Sequence, residues 1–136
     1  MSRAEFDQLR NVPLFVEADE AQLVRIAEVA TAFEVPAGRV LAERGQPGSG
    51  MFVLLEGTVE VDVPGLDPIE LGPGDFVGEL SLLTESDRLA RVRALTPVRG
   101  LAIGRAAFHA LINDEPRIAL AMLPVLARRL AAVESR

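Results

Sequence analysis

The chain contains no cysteine and no lysine, and His109 is its single histidine. Without cysteine, the protein has neither a disulfide framework nor a thiolate metal site or a cysteine nucleophile. One histidine excludes a multi-histidine metal cluster of the cupin type, and it weakens any hydrolase mechanism that needs a serine–histidine pair. The missing lysine also excludes a P-loop. These absences predict a binding protein and not an enzyme.

Long apolar runs and a basic surface are missing as well. No run approaches the roughly 18 apolar residues of a membrane span, and residues 1–5 lack the apolar core of a secretory signal. The formal net charge is −6, and an acidic surface repels the phosphates of nucleic acids and of anionic membranes. We therefore expect a cytoplasmic protein whose partners include neither nucleic acid nor a membrane.

The sequence does contain enough apolar material for one globular domain. Of its 136 residues, 49% are hydrophobic and 25% are charged, proportions typical of a soluble folded chain. Residues 1–30 and 105–136 carry apolar side chains at helical spacing. Asp19 is a good N-cap for a helix over Glu20–Val29. Residues 31–104 alternate apolar and polar side chains between Gly/Pro turns, which predicts a sandwich, a jelly roll or a barrel of short strands.

Two local patterns predict particular features within these regions. Met51–Leu55 and Val59–Val63 are joined by Glu56-Gly57, which predicts a β-hairpin. The last helix, from Arg117, is apolar nearly all round in its first half, so we expect it to be buried against the strands or another subunit. Pro124 is expected to kink this helix because it removes one backbone hydrogen bond.

The segment from Gly72 to Arg88, here called the cassette, has the features of a pocket for a phosphate ester. Its glycines let the backbone approach a ligand, and a helix that starts at Gly78-Glu79 leaves unpaired N–H groups for an anion. Arg88 can supply a planar, permanently charged fork for phosphate oxygens. Glu79 would repel a phosphate, but it can accept a hydrogen bond from a sugar hydroxyl. The combination predicts a nucleotide with a free ribose hydroxyl, and an ion pair between Glu79 and Arg88 is the structural alternative.

Several stretches resemble, in order, the sequence pattern of the cyclic-nucleotide-binding domain family. They are Gly38–Leu41 with Arg44-Gly45, Met51–Val61, Leu71–Leu83, Arg88–Ala94, and the helical residues Ala106, Phe108, Leu111 and Ile112. The resemblance covers almost the whole chain. It implies a single domain over residues 1–136, mainly β with flanking helices. Residues 31–104 would form an antiparallel eight-stranded jelly-roll β-barrel, between an N-terminal helical region (1–30) and two C-terminal helices (105–136).

The resemblance also implies a role for each residue of the site. Arg88 would pair with the exocyclic oxygens of a cyclic phosphate, and Glu79 would accept a hydrogen bond from the ribose 2′-hydroxyl. The phosphate cradle would be completed by groups of Gly78, Leu80, Ser81, Leu89 and Ala90. Arg129 would contact the base, and the helix from Arg117 would act as a lid whose movement controls an attached output domain. The implied ligand is a cyclic nucleotide, with cAMP favoured over cGMP.

The chain departs from the family's pattern at Ser49-Gly50, Asp87, Leu89 and Arg91, and two of these departures bear directly on the pocket. Asp87 places a carboxylate beside Arg88, where it could pair with the arginine and weaken its attraction for phosphate. Leu89 stands where Ala, Ser or Thr is common, so it crowds the pocket and offers no hydroxyl to a guanine. A second hypothesis therefore stays open, in which the chain binds no nucleotide and is a dimerisation or docking scaffold. In either case the C-terminal helix is the expected interface of a homodimer.

Overall fold

The computed structural model describes residues 2–134 and, within that range, all side chains except those of Glu79, Leu80 and Val133. Its helices are α1 Arg3–Arg10, α2 Glu20–Val29, α3 Glu79–Leu83, α4 Arg105–Asp114 and α5 Arg117–Glu134, with a 3-10 turn at Pro13–Phe15. Its strands are β1 Ala30–Val35, β2 Val40–Ala42, β3 Gly50–Glu56, β4 Val59–Asp62, β5 Ile69–Leu71, β6 Phe76–Val77, β7 Arg91–Ala94 and β8 Val98–Gly104. No helix in this part of the chain is both long enough and apolar enough to cross a lipid bilayer.

The helix predicted at Glu20–Val29 is confirmed with the same bounds. A side-chain oxygen of Asp19 accepts a hydrogen bond from the Gln22 backbone N–H at 2.8 Å, and the Gln22 side chain accepts one from the Asp19 N–H at 3.0 Å. This reciprocal capping box satisfies two backbone donors and sets the start of the helix. Leu23 and Ile26 are buried, so α2 turns one apolar face towards the core.

The eight strands form two antiparallel four-stranded sheets. The first sheet has the strand order β1-β8-β3-β6, and the second has the order β2-β7-β4-β5. The prediction of antiparallel strands with flanking helices is confirmed, and closure of the sheets into one jelly-roll barrel stays a prediction. The description "mainly β" is wrong, because the chain is a mixture of helix and strand. Its strands are as short as the two residues of β6, whereas α5 alone has 18 residues.

The predicted hairpin between β3 and β4 is also wrong. β3 pairs with β6 and β8 in the first sheet, while β4 pairs with β5 and β7 in the second. The chain passes from one sheet to the other at Gly57, where φ is +88°. A Cβ at this position would overlap the Pro97 carbonyl oxygen. Glycine therefore permits a crossing that the strand pattern alone does not reveal.

Two apolar clusters explain why β3 is buried on both faces. Met51, Val53 and Leu55 belong to a cluster that packs the first sheet against the helices and includes Phe15 and Phe108. The alternate residue Leu54 faces the second sheet, in a cluster completed by Ala42, Val59, Val77, Val92, Ala94 and Val98. Complete burial of a Leu or Phe side chain contributes about 1.5–3 kcal/mol. The first sheet is therefore a central layer, with helices on one side and the second sheet on the other.

Helix α5 is buried along one face only. Ile118, Met122 and Val125 are buried, and all three belong to the cluster that packs the first sheet against the helices. Leu126 is half-buried against the same cluster, whereas Leu120, Leu123 and Leu130 are 64%, 56% and 59% exposed. The helix continues past Pro124, and the predicted kink stays a prediction. The described residues thus cover one face of α5 and leave these three leucines exposed.

Candidate functional site

The cassette turns sharply between β6 and α3. Gly78 has φ +88°, and the Ser81 N–H donates to the Gly78 carbonyl at 3.0 Å, which begins the short helix α3. A Cβ on residue 78 would overlap Nη1 of Arg88 and would lie 3.0 Å from the carbonyl oxygen of Gly50. An L-residue with a side chain rarely adopts this φ and would displace the arginine as well. Glycine at position 78 therefore allows the guanidinium to lie directly against the backbone.

Arg88 is held in place through its own backbone. Its N–H donates to the Gln46 carbonyl at 2.8 Å, and its carbonyl accepts from the Gly45 N–H at 2.9 Å. The guanidinium carbon lies 5.5 Å from the centre of the Phe52 ring, within the range of a cation–π contact. The position of Arg88 is therefore fixed by main-chain hydrogen bonds to the loop before β3 and by the contact of its guanidinium with Phe52 of β3.

Arg88 is half-buried, and none of the described carboxylates pairs with its guanidinium. Nη1 is inaccessible to solvent and has no hydrogen-bond partner among the residues that the structure describes. Burial lowers the pKa of Arg88 below its ordinary value, because desolvation disfavours the charged form. The nearby Arg91 and Arg93 instead lie beside Glu43 and Glu60, at 3.2 and 3.8 Å. A buried charge is costly unless an anion pairs with it, so this position suits the anionic group of a ligand.

A cavity of about 150 Å³ opens in front of Arg88. Its polar and charged lining comes from Gly78, Ser81, Asp87, Arg88 and Arg129, and its apolar lining comes from Ala42, Val61, Ile69, Leu71, Val77, Leu89, Ala90 and Val92. Ser81 is buried, whereas Leu89 is 61% exposed. The cavity therefore combines one cationic, hydrogen-bonding end with an extended apolar wall, which suits a ligand that has an anionic group and a flat apolar part.

Asp87 does not neutralise Arg88 in this arrangement. Among residues 2–134 with described side chains, no carboxylate forms an ion pair with Arg88. Asp87 forms an isolated antiparallel bridge with Pro47 and is exposed. The ion pair expected from their adjacency in sequence is therefore not formed, although both residues line the cavity.

Arg129 connects α5 to β6, the strand of the cassette that precedes Gly78. Its Nη2 donates to the Phe76 carbonyl at 3.1 Å, and its Cζ lies 4.0 Å from the centre of the Phe76 ring. The same residue lines the cavity. The helix that was expected to form a lid is therefore in contact with the site through this arginine.

The structure brings together most of the predicted site residues. Those that line the cavity are Gly78, Ser81, Arg88, Leu89, Ala90 and Arg129. Glu79 and Leu80 lie in α3, but their side chains are outside the described part of the structure, so the ribose contact of Glu79 stays a prediction. Sequence reasoning missed the apolar wall that β2, β4, β5 and β7 provide. Alternation marked Val61 and Val92 as inward-facing residues, but it did not indicate that they face the same cavity as Arg88.

Comparisons with known proteins agree with this geometry. A sequence model of the cyclic nucleotide-binding domain matches residues 32–115. A cyclic nucleotide-gated potassium channel from Mesorhizobium japonicum is 44% identical over 108 residues, which are 79% of this chain and 30% of the channel. A CRP-like cAMP-activated global transcriptional regulator from Mycobacterium tuberculosis is 28% identical over 127 residues, or 90% of this chain and 57% of that protein.

A solved structure is similar over nearly its whole length. The N-terminal domain of a transcriptional regulator from Streptomyces coelicolor A3(2) is 32% identical, with a TM-score of 0.78, and the match covers 95% of this chain and 93% of that one. By contrast, the chain spans less than two thirds of the channel and of the cAMP-activated regulator. The family match nevertheless includes more than half of this chain, so the chain belongs to the cyclic nucleotide-binding domain family.

Proposed function

We propose that this chain is a sensor module that binds a cyclic nucleotide, with cAMP favoured over cGMP, and couples binding to movement of α5. The observation that carries the proposal is Nη1 of Arg88, a buried donor at the wall of a cavity with no hydrogen-bond partner among the side chains that the structure describes. A cyclic phosphate would supply the missing charge and the missing acceptor at once. The names of two relatives, a cyclic nucleotide-gated channel and a cAMP-activated regulator, are consistent with this ligand.

The remaining lining residues supply the rest of the proposed binding mode. Ser81 and the backbone of Gly78, Leu80 and Ala90 would surround the phosphate beside Arg88. Glu79 would accept a hydrogen bond from the ribose 2′-hydroxyl. The purine would lie on the apolar wall and below Arg129, whose planar guanidinium can stack on a base. Leu89 offers no hydroxyl to a guanine, which is why cAMP is favoured.

The contact between Arg129 and Phe76 supports the proposed coupling to α5. β6 leads directly into Gly78, so a ligand that pulls on the cassette also moves the residue to which Arg129 is bonded. Such a ligand shifts the helix only if its affinity differs between the two helix positions. We propose that α5 closes over the nucleotide, with the strands forming a closed jelly-roll barrel around the site.

Isothermal titration calorimetry with cAMP and with cGMP tests the ligand assignment. We expect binding of both nucleotides, with the lower Kd for cAMP. A Kd of about 1 mM is the weak end of ordinary affinities. If about 1 mM of either nucleotide produces neither binding heat nor a shift in melting temperature, the proposal is wrong.

A dimerisation scaffold is the second candidate function, and the exposed leucines of α5 favour it. Leu120, Leu123 and Leu130 follow one another at spacings of three and seven residues, which places them along one stripe of the helix. Such a stripe is typical of the seam between two helices. The scaffold hypothesis predicts a homodimer whose melting temperature does not respond to cAMP, and it predicts that Leu123→Glu gives a monomer in sedimentation analysis.

A further inference from the structure

Two side chains of α4 are bonded to the end of the cassette helix α3. Nη1 of Arg105 donates to the Thr84 carbonyl at 3.1 Å, and Nε2 of His109 lies 3.1 Å from the Leu82 carbonyl oxygen. A carbonyl oxygen only accepts, so Nε2 of His109 carries the proton in this bond. Arg105 and His109 are one helical turn apart and therefore share a face of α4.

These bonds lie at the C-terminal end of α3, where backbone carbonyls need hydrogen-bond donors. The last carbonyls of an α-helix have no partner within the helix, and α3 ends at Leu83. Cationic and N–H donor groups at this end also interact favourably with the helix dipole. A helix as short as α3 has little stability of its own, so its position depends on contacts made by neighbouring elements.

Arg105 also holds the loop behind Arg88. Its Nη1 donates to the Gly48 carbonyl at 3.1 Å, and its backbone N–H donates to the Ser49 carbonyl. Gly48 is buried, and a Cβ there would overlap the Ser81 hydroxyl and would come within 3.0 Å of Nε of Arg88. The Gly48 backbone is therefore in direct contact with two side chains that line the cavity. One arginine outside the cavity is thus bonded both to the residue that follows α3 and to the loop that contacts Ser81 and Arg88.

We propose that Arg105 and His109 are positioning residues that hold α3 and the Gly48 backbone in the arrangement that presents Ser81 and Arg88 to a ligand. The same bonds transmit a displacement of α3 to α4. Two residues, Glu115 and Pro116, separate α4 from α5, so α4 carries the displacement on to the proposed lid. This second step rests on the proposed function, whereas the bracing of α3 does not.

The bracing is tested without ligand, by amide hydrogen exchange of residues 81–83 in the full chain. Arg105→Gln and His109→Ala are expected to accelerate exchange in this segment about fivefold or more, because local opening becomes easier. Arg117→Gln is the matched control, since Arg117 begins α5 as Arg105 begins α4 and is exposed. Arg105→Lys, which keeps a cation and its N–H donors, is expected to restore much of the protection. Unchanged exchange in Arg105→Gln would overturn the proposal.

The transmission is tested with cAMP as the probe. Because His109 is the single histidine, its imidazole gives one unambiguous pair of ¹⁵N signals. We expect cAMP to shift the Nε2 signal of the wild type and to leave it unshifted in Arg88→Ala. We also expect Arg105→Gln to raise the Kd for cAMP about fivefold, within the range by which residues outside a site alter coupling, and Arg117→Gln to leave it unchanged.

The two arms separate the failure of this inference from that of the proposed function. Calorimetric binding of cAMP without any shift of the His109 signal would overturn the transmission. If the wild type binds no cAMP while Arg105→Gln still accelerates exchange in residues 81–83, the bracing is supported and the proposed function fails.

Discussion

The backbone of Gly78 lies so close to the guanidinium of Arg88 that a Cβ on residue 78 would overlap Nη1. The glycine and the arginine are ten residues apart in sequence and form one unit in the site. Because Gly78 also has φ +88°, two separate costs accompany any side chain at this position. One cost is the conformation of residue 78 itself, and the other is the displacement of Arg88.

Gly78→Ala is expected to lower the melting temperature and to weaken cAMP binding about tenfold or more. The left-handed conformation costs roughly 1–2 kcal/mol for a non-glycine residue, and the overlap moves Arg88 from its position at the cavity wall. Gly74→Ala is the matched control, since Gly74 has φ +91° but no atom lies within 4 Å of its Cβ position. Thermal unfolding should show a loss of stability in both variants, and calorimetry should show weaker binding in Gly78→Ala alone. If Gly78→Ala and Gly74→Ala bind cAMP with equal affinity, Gly78 does not position Arg88 for binding.

Arg129→Ala is expected to loosen the C-terminal half of α5. The variant loses the hydrogen bond to the Phe76 carbonyl and the contact with the Phe76 ring, a cation–π contact of about 0.5–1 kcal/mol or more. Hydrogen exchange of residues 125–134 should be faster than in the wild type. Arg128→Ala changes the exposed neighbouring arginine and should leave exchange unaltered. If both variants exchange alike, Arg129 does not hold the helix to the site.

Glu79→Ala is expected to weaken cAMP binding by removing the acceptor for the ribose 2′-hydroxyl. A hydrogen bond to a charged group is worth about 1.5–3 kcal/mol, so the Kd should rise about tenfold or more. The wild type should lose a similar factor when 2′-deoxy-cAMP replaces cAMP, whereas Glu79→Ala should bind the two nucleotides equally. A variant that still prefers cAMP over its 2′-deoxy form would assign the ribose contact to another residue.

The ion pair between Glu56 and Arg99 predicts a small pH effect on stability, remote from the site. The Arg99 guanidinium donates to the Glu56 carboxylate at 2.9 Å and lowers the pKa of Glu56 below its ordinary value of 4.5. The folded pKa is depressed, so the stabilisation is present above pH 4.5 and is lost as the pH falls through the lower, folded value. Glu56→Gln should therefore melt below the wild type at pH 6 and should converge with it near pH 3. Glu17→Gln is the control, because Glu17 is exposed and forms no ion pair among the described residues. A difference in melting temperature between Glu56→Gln and the wild type that stays constant from pH 6 to pH 3 would contradict the linkage.

Local features could be predicted from the sequence because their causes are local. The start of α2 depends on Asp19 and Gln22, three residues apart, and its bounds were correct. The start of α3 at Gly78-Glu79 was also predicted from residue types within one short segment. The resemblance to a known family assigned Arg129 to the site, and Arg129 lines the cavity, which no pattern in α5 itself indicates.

The strand pairing and the roles of Arg105 and His109 could not be predicted, because they depend on contacts between residues far apart in the chain. Whether β4 pairs with β3 or lies in the other sheet is decided by long-range pairing through β7 and β5, which alternation along one strand cannot specify. The side chain of Arg105 reaches carbonyls 57 and 21 residues away, so its bracing role was not foreseen. The bond between His109 and Leu82 was not foreseen either, because it joins residues 27 positions apart.

Arg88→Ala provides the decisive comparison, and its effect on stability is part of the test. Removing a half-buried charge that has no partner among the described side chains relieves a cost, so the ligand-free variant should unfold at a temperature equal to or above that of the wild type. This combination of retained stability and lost binding would identify Arg88 as a residue kept for the ligand. Arg91→Ala is the control, because Arg91 follows three residues later and is exposed beside Glu43.

Calorimetric titration of cAMP into Arg88→Ala and Arg91→Ala, side by side with the wild type, tests the central claim most directly. The loss of a charge-assisted phosphate contact, about 1.5–3 kcal/mol, should raise the Kd of Arg88→Ala at least about tenfold, while Arg91→Ala should bind as the wild type does. A folded Arg88→Ala variant with wild-type affinity for cAMP would show that the buried guanidinium is not the phosphate ligand and would contradict the account.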